Sequence, residues 1–174
     1  MKNKFIALFL IISTVSFSQK YVDSLYNFKV NNGDLIWQKV FKYKNNELQK
    51  IINQLKTAEF SSSLKHEKKT ISGRSKKTKK NLVKFSPYFA AWPFDSYLNI
   101  DLKENRIRVT ATSIIFDGPI LKVSGAEQKQ NYLLQNSVLK KGKINNKKKY
   151  NNVLQKLDSI FISKFTISNK TSNW

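Results

Sequence analysis

Apolar and polar positions alternate with a period of two in two neighbouring stretches. Leu98, Ile100 and Leu102 alternate with Tyr97, Asn99 and Asp101, and Ile107, Val109 and Ala111 alternate with Arg106, Arg108, Thr110 and Thr112. Successive side chains of a strand point to opposite faces, so both stretches predict strands with one buried and one wet face. Lys103-Glu104-Asn105 between them makes a tight connection, and Asp117-Gly118-Pro119 closes the hairpin with turn residues. Upstream, Phe28-Lys29-Val30 and the β-forming run Leu35 to Tyr43 flank Asn31-Asn32-Gly33-Asp34. Those four residues tolerate positive φ and predict a hairpin-like turn. Phe60, Ser62 and Leu64 read as a half-exposed strand, and Leu82 to Phe85 as another that ends at Pro87.

A helical period replaces the alternation twice. Leu48, Ile51, Ile52 and Leu55 form one apolar stripe over about residues 46–57, behind Asn45 or Asn46 as cap and Glu47 in the first turn. Tyr150, Val153, Leu154, Leu157, Ile160, Phe161 and Phe165 form a second, broader stripe. Between Ile120 and Asn146 no period holds, which predicts a long loop with room for one more strand. The aromatic cluster Tyr88, Phe89, Trp92 and Phe94 around Pro93 requires cover from the core.

The first residues follow a different logic. Lys2 and Lys4 precede the apolar run Phe5 to Val15, and Ser16-Phe17-Ser18 supplies a small-x-small site. These are the parts of a signal peptide over residues 1–18, cleaved before Gln19. The run is shorter than the ~20 residues of a spanning helix. No cysteine stands at the cleavage site, so a lipid anchor is not expected. The processed chain is expected to be periplasmic or secreted and not an integral membrane protein. Residues 19–27 read as a lead-in, 28–167 as one domain, and 168–174 as a polar tail.

The economical packing of these elements puts two helices on one face of a curved antiparallel sheet and leaves the other face open. That is an α+β two-layer domain. The stretch Gly33-Asp34-Leu35-Ile36-Trp37-Gln38-Lys39-Val40-Phe41, the hairpin with Lys103 and Arg106-Ile107-Arg108-Val109, and the last helix with Leu157-Asp158 carry a resemblance. Together they resemble a family of exported bacterial domains of unknown function with a TBP-like fold. The resemblance implies that fold and export; it implies no activity.

Composition narrows the chemistry. The 174 residues include 32 Lys+Arg against 11 Asp+Glu, a net charge of +21, yet 40% are hydrophobic and 13% aromatic. A disordered polycation lacks such a core, so that class is excluded. There is no cysteine and His66 is the single histidine, which removes disulfides, thiolate metal sites and most Ser-His-Asp arrangements. Arginine occurs only at 74, 106 and 108. The lysine excess therefore has two readings: selection for a polyanion, or the Lys-, Asn- and Ile-rich signature of AT-rich coding. Scarce arginine argues against specific nucleic-acid binding.

No catalytic constellation emerges. Asp95, Asp101 and Glu104 are the densest acids, but alternation puts Asp101 on the wet face and Glu104 in a turn. Gly73-Arg74-Ser75-Lys76-Lys77-Thr78 lacks the spacing of a phosphate-binding P-loop. The chain is expected to be non-enzymatic, without cofactor or metal, and to act by binding or as an accessory. Two surfaces are candidates. One is the open sheet face with Tyr97, Asn99, Arg108, Thr110 and Thr112, for a protein partner. The other is basic: Lys68, Lys69, Arg74, Lys76, Lys77, Lys79 and Lys80 in a loop or hairpin tip over 65–84, joined by Lys140, Lys141, Lys147, Lys148 and Lys149. It would suit an anionic polymer or lipid surface.

Overall fold

In a computed structural model of the chain, the structure describes residues 20–43, 53, 65–67, 69–78 and 87–166. The signal segment 1–18, the helix expected over 46–57, the strands expected at 60–64 and 82–85, Lys68, Lys79, Lys80 and the tail 168–174 lie outside the described residues.

Among the described residues the strands are β1 (Tyr21–Val22), β2 (Ser24–Leu25), β3 (Phe28–Asn31), β4 (Asp34–Lys42), β5 (Lys65–Glu67), β6 (Thr70–Arg74), β7 (Phe94–Lys103), β8 (Arg106–Val123), β9 (Ala126–Leu133), β10 (Leu139–Lys140) and β11 (Lys143–Asn145). The helices are α1 (Leu134–Val138) and α2 (Lys148–Phe165), with a 3-10 turn at Tyr88–Ala91. The main sheet runs β2-β3-β4-β8-β7-β6-β5, with β9 also on β8, and every pairing is antiparallel. A small sheet, β1-β11-β10, stands beside it. The architecture is α+β, as the alternation and the terminal stripe require.

The two hairpins form where the turn chemistry puts them. Asn31 pairs with Asp34, and the two residues between them, Asn32 and Gly33, have φ of 50° and 87°. Positive φ at both central positions matches the right-handed twist of the flanking strands. Lys103 pairs with Arg106 around Glu104-Asn105, with Asn105 at φ 57°.

Several stretches depart from the sequence expectation. The lead-in contributes β1 and β2. The expected loop of 120–146 is ordered as the end of β8, then β9, α1, β10 and β11. The hairpin does not close at Asp117-Gly118-Pro119; β8 runs through it and the register on β9 shifts between Asp117 and Ile120. Pro119 has no N–H for the ladder, and a bulge lets an antiparallel strand absorb it and bend. Gly118 is required there, because a Cβ would stand 2.5 Å from the Trp92 ring and 2.8 Å from the Gln130 carbonyl oxygen. Beyond the bulge β8 and β9 continue as an arm on which Ile120 and Leu121 are exposed.

The core lies between the sheet and α2. Phe28, Trp37, Ile71, Phe94, Leu98, Ile100, Ile107, Val109, Ala111 and Phe116 come from the inward parity of the strands, and Val153, Leu154, Leu157, Phe161 and Phe165 from α2. Trp37 packs on Phe161 with ring centroids 4.9 Å apart, and Phe41 on Phe165 at 5.9 Å. The 3-10 turn buries Phe89 against Tyr132 at 4.4 Å and Phe116 at 5.1 Å, which covers the aromatic cluster. α2 has no side-chain N-cap and no acid in its first turn, where Lys148 and Lys149 instead face the positive end of the helix dipole. Its stability therefore comes from the apolar stripe.

Asp158 is buried on α2 and accepts at Oδ1 from Trp37 Nε1 at 2.7 Å and Asn27 Nδ2 at 2.6 Å. Tyr43 donates its hydroxyl to the Phe165 carbonyl oxygen, and burial pushes its pKa up to about 12. Replacing Asp158 strands two donors at a cost of ~1–3 kcal/mol each. Asp158→Ala is expected to lower the unfolding free energy in urea by about 2–4 kcal/mol, while exposed Ser159→Ala stays within about 0.5 kcal/mol of wild type. A loss no larger than that of Ser159→Ala would remove Asp158 from its role as the joint.

Candidate functional site

The face away from α2 is assembled by register. Tyr97 stands opposite Thr112, Asn99 opposite Thr110, and Asp101 opposite Arg108 across β7 and β8. The five residues expected on the open face (Tyr97, Asn99, Arg108, Thr110 and Thr112) therefore share one face. β4 adds Gln38 opposite Thr110, Val40 opposite Arg108 and Lys42 opposite Arg106. β6 adds Ser72 opposite Asn99 and Arg74 opposite Tyr97, and β3 adds Lys29 opposite Ile36.

The face carries its own hydrogen-bonded rows. Lys29 Nζ donates to Gln38 Oε1 at 2.8 Å, and Gln38 Nε2 to Thr110 Oγ1 at 2.9 Å. Arg108 donates to Asp101 Oδ2 from Nε at 2.9 Å and reaches it with Nη2 at 2.8 Å. Thr70 Oγ1 and Asn99 Nδ2 stand 3.4 Å from Asp101 Oδ1. Arg74 Nη2 holds Asp95 Oδ1 at 2.5 Å.

Along β4 exposure rises toward the β7–β8 turn, from 6% at Ile36 to 51% at Val40, while Tyr97 at the far end of β7 is also 41% exposed. At that end two shallow depressions adjoin. One, of about 180 Å³, is lined by Val40, Asp101, Lys103, Arg106 and Arg108. The other, of about 440 Å³, shares Asp101, Lys103, Arg106 and Arg108 and adds Lys69, Thr70, Leu102 and Glu104. Sequence reasoning put Arg106 on the wet parity with Arg108 and Lys103 in the connection, but named neither Lys103 nor Arg106 as a ligand residue. The outward parity of Arg106 and its place beside the turn were the signals that could have found them.

The basic residues do not gather in one place. Arg74 pairs with Asp95, and Lys77 with Asp117. Lys76 is exposed beyond β6, and Lys69 sits at the β5–β6 turn. Lys147, Lys148 and Lys149 open α2 just after β11, while Lys140 lies on β10 and Lys141 in the β10–β11 turn. β11 touches β3, and β3 and β6 are four strand spacings apart, about 19 Å. The described members of the two lysine runs thus stand on opposite sides of the sheet.

The acids also separate. Asp95 and Asp101 lie six residues apart on β7, about 20 Å at strand rise, and each is held by an arginine. A glycosidase pair stands within about 5–9.5 Å. Glu104 lies in the exposed β7–β8 turn. His66 lies on β5 opposite Ile71. Among the described residues no group of three or more His, Asp or Glu side chains is placed to hold a metal ion.

The chain matches no family model and no curated protein sequence. It is similar to the crystal structure of a TBP-like protein from Parabacteroides distasonis, with a TM-score of 0.52 and 17% sequence identity, over 78% of this chain and 92% of that one. The fold is TBP-like. The likeness extends to the backbone plan alone, so the site rests on the side chains described above.

Asp117 sits between Lys77 and Lys129, whose Nζ lies 3.1 Å from Oδ1. Burial works to raise its carboxyl pKa, but the hydrogen bonds and charges of the two lysines outweigh burial and hold it below the ordinary 3.8. The stabilisation is therefore present above that value and lost as pH falls through the folded one. The difference in urea midpoint between wild type and Asp117→Asn is expected to be clear at neutral pH and to close progressively below pH 3.8. A difference constant down to strong acid would contradict the ion-pair account.

Proposed function

We propose that the chain is an exported, non-enzymatic binding domain whose ligand surface is the open face of its TBP-like sheet. The observation that carries this reading is the register. It aligns Tyr97, Asn99, Arg108, Thr110 and Thr112 with Gln38, Val40 and Lys42 on one face, and along β4 and β8 that face grows more exposed toward the β7–β8 turn. The N-terminal pattern of Lys2, Lys4, the Phe5 to Val15 run and Ser16-Phe17-Ser18 supports export. No helix among the described residues is long and apolar enough to cross a membrane.

The alternative is a binder of anionic polymer or membrane surface through the lysine runs. It has less support, since Arg74 and Lys77 are ion-paired and the described lysines divide between two sides of the sheet. A protein partner on the open face belongs to the first reading.

Expression of the full chain in a bacterium is expected to yield a product outside the cytoplasm whose N-terminus is Gln19, read by mass spectrometry; an intact chain retained in the cytoplasm would overturn export. Retention of that product on the cell-envelope fraction at physiological salt tests the surface. A Thr110→Glu, Thr112→Glu variant is expected to be released, while a Lys147→Gln, Lys148→Gln, Lys149→Gln variant is retained. The opposite result would move the function to the lysine runs.

A further inference from the structure

Lysine is spread over the whole chain, as coding composition would spread it. Arginine is not. All three arginines lie on outward positions of the open face: Arg74 opposite Tyr97, Arg108 opposite Asp101 and Arg106 opposite Lys103. Arginine presents a planar fork of donors that matches carboxylate and phosphate oxygens two at a time, which a lysine ammonium does not. Two of the three are taken up within the face. Asp95 holds Arg74, and Asp101 holds Arg108 through Nε and Nη2. Arg106 has no acidic partner among the described residues, and it lines both depressions.

Asp101 also draws Thr70 and Asn99 toward its other oxygen. The Arg108 guanidinium is thereby fixed before a ligand arrives, with its Nη1 donors left over. A pre-oriented donor beside an uncommitted one, over the exposed methyl groups of Val40, is a seat for an anionic group that also presents an apolar side.

We propose that the trough around Lys69, Lys103, Arg106 and Arg108 binds the carboxylates of an acidic polysaccharide, with Arg106 as the principal ligand. The inference rests on the open-face reading and names its ligand class. Three features of the trough select that class. The smaller depression, about 180 Å³, is on the scale of one sugar-acid ring, and the adjoining one continues the path around the turn for further units. The lining mixes cations with the carboxylates of Asp101 and Glu104. A uronic acid offers both carboxylate acceptors and hydroxyl donors and satisfies both kinds of group. A phosphodiester backbone offers acceptors alone and brings the two acids no donor. A protein interface needs a desolvated apolar centre, and Val40 is the one large apolar side chain exposed in the smaller depression.

The test is calorimetric titration of the full exported chain with a tetrameric uronate, its methyl ester, a DNA duplex and inorganic phosphate, at physiological salt. The free acid is expected to bind and the ester, DNA and phosphate to bind far more weakly. Arg106→Gln is expected to weaken uronate binding roughly ten- to a hundredfold, with Arg106→Lys recovering only part. Thermal midpoints of both variants should match wild type, because Arg106 is exposed. The Lys147→Gln, Lys148→Gln, Lys149→Gln variant should bind the uronate as wild type does. Equal binding of ester and acid, preference for DNA or phosphate, equal loss in the lysine variant, or no uronate binding would each overturn the proposal. If envelope retention still depends on Thr110 and Thr112 while uronate fails to bind, the acidic polysaccharide falls and the open-face reading stands; if retention is independent of them, that reading falls as well.

Discussion

A buried carboxylate on α2, Asp158, accepts hydrogen bonds from Trp37 on β4 and Asn27 at the turn before β3. Most other features of the domain depend on that joint. An apolar stripe alone lets a helix slide or rotate on a sheet, because dispersion and hydrophobic burial carry little direction. Two donors converging on one oxygen do carry direction. They fix the rotation of α2, so that Phe161 meets Trp37 and Phe165 meets Phe41. They also fix which face of β4 is covered, and through the register which residues of β8 and β7 remain outside.

The second constraint is the length of β8. Its 18 residues are more than one straight strand beside β4 can use. Arg106 to Ala111 pair with β4, while Ile115 to Val123 pair with β9, so two strands share one edge in succession. The irregularity at Asp95/Tyr97, opposite Thr112 to Ile115, sits where β8 changes neighbour, and the one at Asp117/Ile120 lies within the pairing with β9. They also bend the sheet. Near them the sheet takes in polar groups, with Asp95 and Ser96 buried beside exposed Tyr97. Away from them the register from Tyr97–Thr112 to Lys103–Arg106 is unbroken, and the trough lies at the end of that regular stretch.

Charge is distributed on a different principle. Lysines at the start of α2 face the unfavourable end of its dipole, and the helix forms regardless because its stripe is broad. Lysine placement in this chain is thus tolerated by the fold and says little about partners. Ion pairs are informative where they are local and partly enclosed: Lys77 and Lys129 on Asp117 tie the segment after β6 to the β8 bulge. The arginines stand apart, since all three point to the open face.

Alternation along Tyr97 to Thr112 was enough to establish the central hairpin, its two faces and the five residues sharing the outer one, because side-chain parity is a local property of an extended backbone. The terminal stripe established α2 for the same reason, at a period of 3.6. Turn chemistry at Asn32-Gly33 established the first hairpin. The fate of Asp117-Gly118-Pro119 was not legible. A glycine and a proline read as a turn in isolation; here Trp92 from a distant 3-10 turn packs on Gly118, and β9 returns to pair across Pro119. Nor was the order in 120–146 legible: β9 and β10 pair with neighbouring strands, but β11 is held by Tyr21 and Val22, more than a hundred residues away along the chain. The sequence by itself determined which residues share a face. The tertiary structure alone decided which stretch of that face stays open, and which charges meet, because both depend on strands brought together from far along the chain.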